Sequence, residues 1–284
     1  MDVLVLGARG TLGSLVCGLV AARGHNAIAH RRDRAAISDR RGQPFARADV
    51  IVHCAGASVA MALGKGWRGY RAVDVPLGLA VAAHARATNA RMVYVAAHHP
   101  PALRDCAYVD AHERVAAAMH DLDGAVVRAT GFYSAFASLV PMVRAGLPAD
   151  VGTGRARTNP ICERDLAEIV VDIALGGEGP RDVTAGGPEV LTRAEIYDLV
   201  AAAAGRGVRR LPLWLAKPGA ALLSLVHPRI GQFARFAVGL AQHDAIAPSL
   251  GTTRLRDYLQ NVPPMARPSP GGPPVDTGAG ATTM

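Results

Sequence analysis

The chain opens with an apolar run, residues 3–6, followed at once by a segment with glycine at every third position. A short apolar run that ends at turn residues is typical of a buried strand, and we place one at residues 2–6. Apolar residues then recur at helical spacing over residues 11–23, which predicts a helix. The pattern therefore begins with a strand, a turn and a helix.

The same alternation continues as far as Gly131. Further strands are predicted at residues 26–30, 49–54, 91–97 and 125–128, and further helices at residues 75–87 and 105–120. Strands that alternate with helices of this length predict an α/β fold, a doubly wound parallel sheet with helices on both faces. Right-handed crossovers bring the carboxyl ends of the strands, and with them any ligand, to one edge of the sheet.

Beyond Gly131 the alternation is looser. We expect a loop and helix at residues 132–143, a short strand at 157–161, a helix at 163–175 and a strand at 182–185. Thr192, with Glu195 three positions later, predicts a helix that starts with a capping box.

The C-terminal part of the chain differs from the rest in composition. Residues 206–262 are expected to form a smaller, mostly helical lobe beside a domain of residues 1–205. Residues 211–226 are almost entirely apolar but contain Pro212 and Pro218. We expect this stretch to pack against the sheet, and a peripheral contact with lipid or a quinone is the alternative. Residues 263–284 are rich in Pro, Gly, Thr and Ala and are expected to be disordered.

The glycine-rich turn carries the clearest chemical signal. Gly7 permits a tight turn, Gly10 lets phosphates approach the backbone, and Gly13 lets the helix pack against the strand. The helix starts at Thr11 and Leu12, where free N–H groups and the positive end of the helix dipole favour an anion. The spacing G-x-x-G-x-x-G differs from the general G-x-G-x-x-G fingerprint, and a purely structural turn is the alternative. We expect a dinucleotide-binding site here.

The tip of the second predicted strand indicates which dinucleotide is bound. His30 is followed by Arg31 and Arg32, and no acidic residue occupies the strand tip. A carboxylate there would accept hydrogen bonds from a ribose, whereas a guanidinium suits a 2′-phosphate. We therefore expect NADP, with NAD as the alternative, and we expect Arg31 and Arg9 to bind the phosphate. Simple solvation is the better explanation for Arg32.

Composition and charge exclude several classes of function. The net charge is +8, but the arginines are spread out and only 5% of the residues are aromatic, which argues against nucleic-acid binding. Four cysteines without C-x-x-C spacing argue against disulfides and zinc, and no metal site is expected. No apolar stretch reaches about 18 residues, so no integral membrane segment is predicted. The N-terminus lacks the layout of a signal peptide, and we expect a cytoplasmic protein. The sequence does not indicate the oligomeric state.

Several segments together resemble the short-chain dehydrogenase/reductase superfamily, and within it the atypical and NmrA-like members. The matching segments are residues 7–13, 49–56, 91–96, 126–133, 157–161, 165–167 and 186–188. The resemblance covers residues 1 to about 205 and implies a Rossmann-type fold with a substrate-side lobe. Ala55 and Gly56, after the third strand, are small residues that let the backbone line the ribose side of the cofactor, and an ordinary turn is the alternative. The resemblance implies further cofactor contacts at Ala96 and at Thr130. It also implies a third strand and helix between residues 33 and 48, where this chain is too short to hold both.

The resemblance implies a catalytic hydroxyl and a Tyr-x-x-x-Lys pair, and both are altered in this sequence. Alanine stands where the hydroxyl is expected, and the helix match is Tyr108 with His112 in place of lysine. If both act in catalysis, their spacing puts them on one helix face. A protonated His112 would favour the tyrosinate, whereas a neutral His112 would hold a ribose hydroxyl. The alternative is that both residues are structural.

Two functions are consistent with these observations. The first is an NADP(H)-binding oxidoreductase-like protein that reduces a small or apolar carbonyl, enone or quinone, because the cofactor carries most of the chemistry. The second is a non-catalytic NADP(H)-binding redox sensor or interaction protein, which the altered catalytic pair favours.

Overall fold

Ten strands lie in the part of the chain that the structure, a computed structural model, describes: residues 1–30, 45, 47–57, 66–177 and 179–260. The strands are β1 (Asp2–Leu6), β2 (Asn26–His30), β3 (Val50–His53), β4 (Arg91–Ala97), β5 (Gly124–Ala129), β6 (Pro148–Val151), β7 (Arg157–Thr158), β8 (Asp182–Ala185), β9 (Leu191–Thr192) and β10 (Arg209–Leu211).

Ten α-helices lie in the same residues. They are α1 (Thr11–Ala22), α2 (Tyr70–Thr88), α3 (Ala107–Ala117), α4 (Tyr133–Ala137), α5 (Val140–Arg144), α6 (Glu163–Leu175), α7 (Arg193–Ala204), α8 (Leu213–Val226), α9 (Pro228–Leu240) and α10 (Leu255–Gln260). A 3₁₀ turn at Pro101–Leu103 precedes α3. The predicted capping box is confirmed, since Thr192 and Glu195 cap the start of α7 reciprocally.

Six of the strands form one parallel sheet in the order β2-β1-β3-β4-β5-β8. The chain passes from β1 to β2 on one side and then returns to place β3 on the other side of β1. The strand order therefore reverses beside β1, and in open α/β sheets ligands bind at such a reversal. The predicted doubly wound α/β fold is confirmed.

Alternate residues of each strand pack on opposite faces of the sheet. On β1, Val3 and Val5 pack with α1 and α6, whereas Leu4 and Leu6 pack with α2 and α3. Residues on both faces are buried, as expected for a parallel sheet covered by helices on both sides. This packing holds the carboxyl edge of the sheet, and the turns that follow its strands, in a fixed arrangement.

Two small sheets lie outside the central one. β6 pairs with β10 in parallel, and β7 pairs with β9 antiparallel. Because β10 lies within residues 206–262, that segment is not wholly helical, and residues 241–254 contain no helix. The division of the chain at residue 205 stays a prediction.

The expectation that residues 211–226 pack in the core is wrong. This stretch forms α8, which buries only two of its residues, Ala216 and Ala220. Its large apolar side chains are exposed instead: Trp214, Leu215, Leu222, Leu225 and Val226. The apolar composition of the stretch could not show which of its faces would meet the rest of the protein. Among the described residues, no helix is both long enough and apolar enough to cross a membrane.

Candidate functional site

The glycine turn between β1 and α1 has no room for side chains at two of its three glycines. Gly7 has φ +89°, and a Cβ built on it would lie 2.9 Å from the backbone nitrogen of Ala55. A Cβ on Gly13 would lie 2.2 Å from the carbonyl oxygen of Gly7. The Gly10 N–H donates to that same carbonyl at 2.8 Å. The geometric roles that the sequence predicts for Gly7 and Gly13 are therefore present.

The N-terminus of α1 is open to an anion. Gly10 is the N-cap residue, no side chain caps the helix, and its first turn contains no acidic residue. The first N–H groups of a helix have no acceptor within the helix, so here they are available to a ligand. Arg9, Gly10 and Thr11 are exposed, whereas the side chain of Leu12 is buried in the core.

A second backbone turn, residues 54–57, lies against the glycine turn. The Cys54 N–H donates to the Leu6 carbonyl at 3.0 Å, which joins the ends of β3 and β1. The Ala57 N–H donates to the carboxylate of Asp74, a buried residue of α2, at 2.6 Å. The structure thus brings the turn of Ala55 and Gly56, both predicted to line the cofactor, beside Gly7. Sequence analysis missed Asp74, whose helix begins more than ten residues after this turn.

Two predictions about this site fall on residues that the structure does not describe, and the tail predicted at residues 263–284 lies outside the described residues as well. Arg31, expected to select NADP, lies outside the described residues. So does most of the interval 33–48, where the sequence is too short for a further strand and helix. Both stay predictions.

Tyr108 and His112 lie on α3, which starts at the carboxyl edge of the sheet. Their rings are in contact, with centroids 4.8 Å apart. His112 Nδ1 also hydrogen-bonds to the hydroxyl of Tyr94 on β4, at 2.6 Å. Tyr94 in turn stacks on His53, its neighbour on β3, at 5.1 Å. The predicted pair, itself half-buried, therefore forms a cluster with two buried side chains, Tyr94 and His53.

Aromatic side chains surround Tyr108. Tyr70 of α2 meets it edge-on at 4.9 Å, and Phe236 of α9 lies 4.7 Å away between centroids. The hydroxyl of Tyr108 makes no hydrogen bond to another described residue. This leaves a polar O–H within a largely apolar wall.

Burial controls the charge state of the cluster. It lowers the pKa of His112 to about 4 and that of His53 to about 3, because each imidazolium would lose its hydration. Burial and the nearby carboxylate of Asp74 raise the pKa of Tyr108. At neutral pH His112 is therefore an uncharged imidazole and Tyr108 an intact phenol. Of the two charge states left open for His112, the structure favours the neutral one.

Two further predicted residues are buried near the same edge. Ala96 on β4 packs among the apolar residues that face α2 and α3. The Thr130 hydroxyl, at the end of β5, donates to the carbonyl of Asn159 at 2.7 Å. Asn159 is itself fully buried, and its side chain binds the backbone at Gly187 and Ala247. Thr130 and Asn159 thus join the C-terminal lobe to the sheet.

Tyr133 and Asp165 also have structural partners. Tyr133, which follows Thr130 closely and begins α4, is buried in the core, and its hydroxyl donates to the Thr253 carbonyl at 2.7 Å. Asp165 is not the N-cap of α6, which is Cys162. Its carboxylate accepts instead from the N–H groups of Thr252 and Thr253, both at 2.7 Å.

Within the described part of the chain, no group of three or more histidine, cysteine, aspartate or glutamate residues could hold a metal ion. His99, one of the adjacent histidines, hydrogen-bonds instead to Glu113 at 3.3 Å.

No protein-family model matches this sequence, and no curated protein sequence does. Solved structures do match. The human epimerase family protein SDR39U1 (isoform 2), crystallised with NADPH, aligns at 21% identity with a TM-score of 0.64 over 92% of this chain and 100% of that chain. A nucleoside-diphosphate-sugar epimerase from Staphylococcus aureus aligns at 13% identity with a TM-score of 0.65 over the same shares.

A third similar structure is the Bordetella bronchiseptica enzyme WbmH in complex with NAD⁺. It aligns at 17% identity with a TM-score of 0.56, over 75% of this chain and 85% of that chain. At these identities the likeness shows the fold. The Rossmann-type fold that the resemblance implied is confirmed, and the structural neighbours are epimerases and reductases of that type.

Proposed function

We propose that this chain binds a nicotinamide dinucleotide, NADP(H) by preference, at the β1–α1 turn and acts as an oxidoreductase. The observation that carries the proposal is the turn itself. Gly7 and Gly13 leave no space for a Cβ, and the turn leads into an exposed helix N-terminus with no side-chain cap. These features fit the diphosphate of a dinucleotide, which needs close backbone approach and free N–H groups.

The similar structures support the cofactor class. One was crystallised with NADPH and another with NAD⁺. The preference for NADP(H) rests on Arg31, which follows β2, and on Arg9, which is exposed within the turn. An arginine binds a 2′-phosphate through charge-assisted hydrogen bonds.

The residues of the candidate site then have distinct roles. The bound dinucleotide would supply a hydride, and the protein would supply a proton and an apolar wall. Tyr108 is a protonated phenol at neutral pH and can donate that proton to a substrate oxygen, although its raised pKa makes it a weaker acid than a free tyrosine. His112 cannot serve as the cation that lysine would provide, because its pKa is lowered to about 4. The Nδ1 atom of His112 is hydrogen-bonded to the Tyr94 hydroxyl, so Nε2 is the ring nitrogen that would bind a ribose hydroxyl.

The surroundings of Tyr108 indicate the class of substrate. Tyr70 and Phe236 enclose it, and they offer aromatic surface rather than charge. Such a wall suits a small or apolar carbonyl, enone or quinone.

One observation favours the alternative, a non-catalytic NADP(H)-binding sensor or interaction protein. The site lacks both the hydroxyl at Ala96 and a cation at position 112 that the resemblance implies. A protein that only senses the redox state of the dinucleotide needs neither group.

The first experiment measures binding by calorimetry with NADPH and NADH. Arg31→Ala should weaken NADPH binding by at least about tenfold and leave NADH binding nearly unchanged, because it removes a charge-assisted contact. Arg32→Ala is the matched control and should change neither. Equal effects of Arg31→Ala on both dinucleotides would remove the preference for NADP. No heat with either dinucleotide would overturn the whole proposal.

The second experiment separates enzyme from sensor. NADPH oxidation is followed by absorbance with a panel of quinones, enones and aldehydes. Turnover that falls by roughly a hundredfold in Tyr108→Phe but persists in Tyr258→Phe would support proton donation by Tyr108. NADPH binding without oxidation across the panel would favour the sensor.

A further inference from the structure

The C-terminal lobe exposes a continuous apolar surface on one helix. We define the outer face of α8 as Trp214, Leu215, Leu222, Leu225 and Val226, all of which are exposed. Leu225 is 80% exposed and Trp214 is 75% exposed. Because residues three or four positions apart share one side of a helix, these side chains form a stripe along α8. Exposed apolar side chains in a stripe of this kind mark a surface that binds something.

The helix is held in this orientation by close packing on its other side. Gly231 of α9 meets Ser224 of α8 so closely that a Cβ on Gly231 would lie 2.2 Å from the Ser224 Cα. α9 in turn packs on the body of the protein through Phe236, which contacts Tyr108. α9 therefore lies between α8 and the candidate site, and the outer face of α8 points away from both.

Both tryptophans of the chain belong to this region. Trp214 lies at the start of α8. Trp67, from another part of the chain, lies near the C-terminal end of α8, where the Trp67 ring is 5.5 Å from the ring of His227. Trp67 is 60% exposed. Tryptophan is enriched where proteins meet the boundary between lipid and water, because its ring is amphipathic.

The segment of the chain that contains α8 is basic. Residues 199–243 contain six arginine and lysine residues and no aspartate or glutamate. One of the six, Arg210, forms a salt bridge with Asp150 of β6, and this offsets its charge. This segment alone accounts for six of the eight net positive charges of the chain. Lys217 on α8, Arg235 on α9 and Arg209 on β10 are exposed. Apolar side chains flanked by basic ones are suited to an anionic bilayer surface, where both contribute to binding.

We propose that the outer face of α8 docks on an anionic lipid surface. A second copy of this chain fits less well for two reasons. A two-fold contact through α8 would place the same basic segment against itself. The face is also only one helix wide and about 20 Å long, whereas a stable dimer buries roughly 800 Å² on each partner. This proposal is independent of the proposed reaction.

The test uses the full-length protein and sedimentation with two kinds of vesicle. One kind is pure phosphatidylcholine, and the other is an equal mixture of phosphatidylcholine and phosphatidylglycerol. We expect binding to the mixed vesicles and at least about tenfold less to the neutral ones, with the difference reduced in high salt. Binding that is absent, or that is equal for the two vesicles, would overturn the proposal.

Variants test whether α8 makes the contact. Leu225→Glu should weaken binding to the mixed vesicles by at least about tenfold, because it puts a charged group into the interface. Leu79→Glu makes the same change at an exposed leucine of α2 and should have no effect. Lys217→Gln should weaken binding by about fivefold. Equal loss in Leu225→Glu and Leu79→Glu would contradict a role for α8.

Tryptophan fluorescence provides a readout that does not depend on sedimentation. In a Trp67→Phe variant, Trp214 is the sole tryptophan, and its emission should shift to the blue when mixed vesicles are added. Before addition, iodide should quench it. Protection from iodide would mean that another part of the chain covers the face. A dimer in light scattering that Leu225→Glu dissociates would mean that a second copy covers it. Either result would overturn the proposal.

Discussion

The hydroxyl of Tyr94 and the Nδ1 atom of His112 lie 2.6 Å apart, and this hydrogen bond joins the sheet to the helix that carries the candidate proton donor. Tyr94 is 2% exposed and lies on β4. The bond fixes the rotation of the imidazole, and with it the direction in which Nε2 points. His112 is thus held in place by a residue that the sequence pattern assigns simply to the core.

Tyr94→Phe removes this hydrogen bond and leaves His112 Nδ1 without its partner. We expect a loss of about 1–3 kcal/mol in the free energy of unfolding, because a buried polar atom is left unsatisfied. Urea denaturation measures it. Tyr258→Phe is the matched control, since the Tyr258 hydroxyl makes no hydrogen bond to another described residue, and it should cost less than about 0.5 kcal/mol. Equal losses in the two variants would show that the bond to His112 adds nothing to stability.

The sequence predicts the framework of the fold closely. Predicted and observed bounds coincide for β1, β2, β4, α6 and β8. Most of these are apolar runs that end at turn residues, so local information is sufficient. β6 and β10 were not predicted, because they are only four and three residues long and pair across nearly sixty residues of chain.

The candidate site is predicted less completely. Gly7 and Gly13 were found because one local pattern contains the whole turn. The contact of His112 with Tyr94 depends on how α3 packs on β4, and no local pattern encodes that packing. The same limit applies to Asp74, whose role becomes visible only when α2 meets residue 57. It applies to α8 as well, because an apolar sequence does not show which face will be exposed.

Gly13→Ala should disrupt the dinucleotide turn. Its Cβ would lie 2.2 Å from the Gly7 carbonyl oxygen, so α1 must move away from β1. We expect a loss of about 2 kcal/mol or more in unfolding free energy, since overpacking against backbone cannot be relieved by a rotamer change. NADPH affinity, measured by calorimetry, should fall by at least about tenfold.

Gly18→Ala is the control for that variant, because it lies in the same helix and a Cβ there would meet nothing within 4 Å. It should leave NADPH affinity unchanged and raise stability by up to about 1 kcal/mol, since alanine is the better helix former. A Gly13→Ala variant that behaves like Gly18→Ala would contradict the packing role of Gly13.

The buried histidines should make the protein sensitive to mild acid. Folding lowers the pKa of His112 from 6.5 to about 4 and that of His53 from 6.5 to about 3. The unfolded chain therefore binds these protons more readily, and stability falls as the pH drops from 6.5 towards 4. Each histidine contributes a loss of about 2–3 kcal/mol over that interval, so we expect about 5 kcal/mol in total, measured by urea denaturation at several pH values.

Substitution separates this effect from general acid sensitivity. His112→Gln should roughly halve the dependence of stability on pH between 6.5 and 4. It removes one of the two histidines that bind a proton more readily in the unfolded chain, and His53 remains. His120→Gln changes a histidine whose side chain is 80% exposed, and it should leave the slope as it is. An unchanged slope in His112→Gln would show that His112 is not responsible.

Asp165 of α6 should stabilise the segment around Thr252 and Thr253, which packs against that helix. Its carboxylate accepts hydrogen bonds from the backbone of Thr252 and Thr253 and, at 2.8 Å, from the Thr253 hydroxyl. Asp165→Asn replaces these charge-assisted bonds by weaker ones, so we expect a loss of about 1–2 kcal/mol in unfolding free energy. Amide hydrogen exchange at residues 252 and 253 should accelerate by roughly tenfold, because those two N–H groups then donate to a weaker, uncharged acceptor. Glu168→Gln removes a charge from an exposed position of the same helix and should change neither measurement. If exchange at residues 252 and 253 is as slow in Asp165→Asn as in Glu168→Gln, other contacts hold this segment and Asp165 does not.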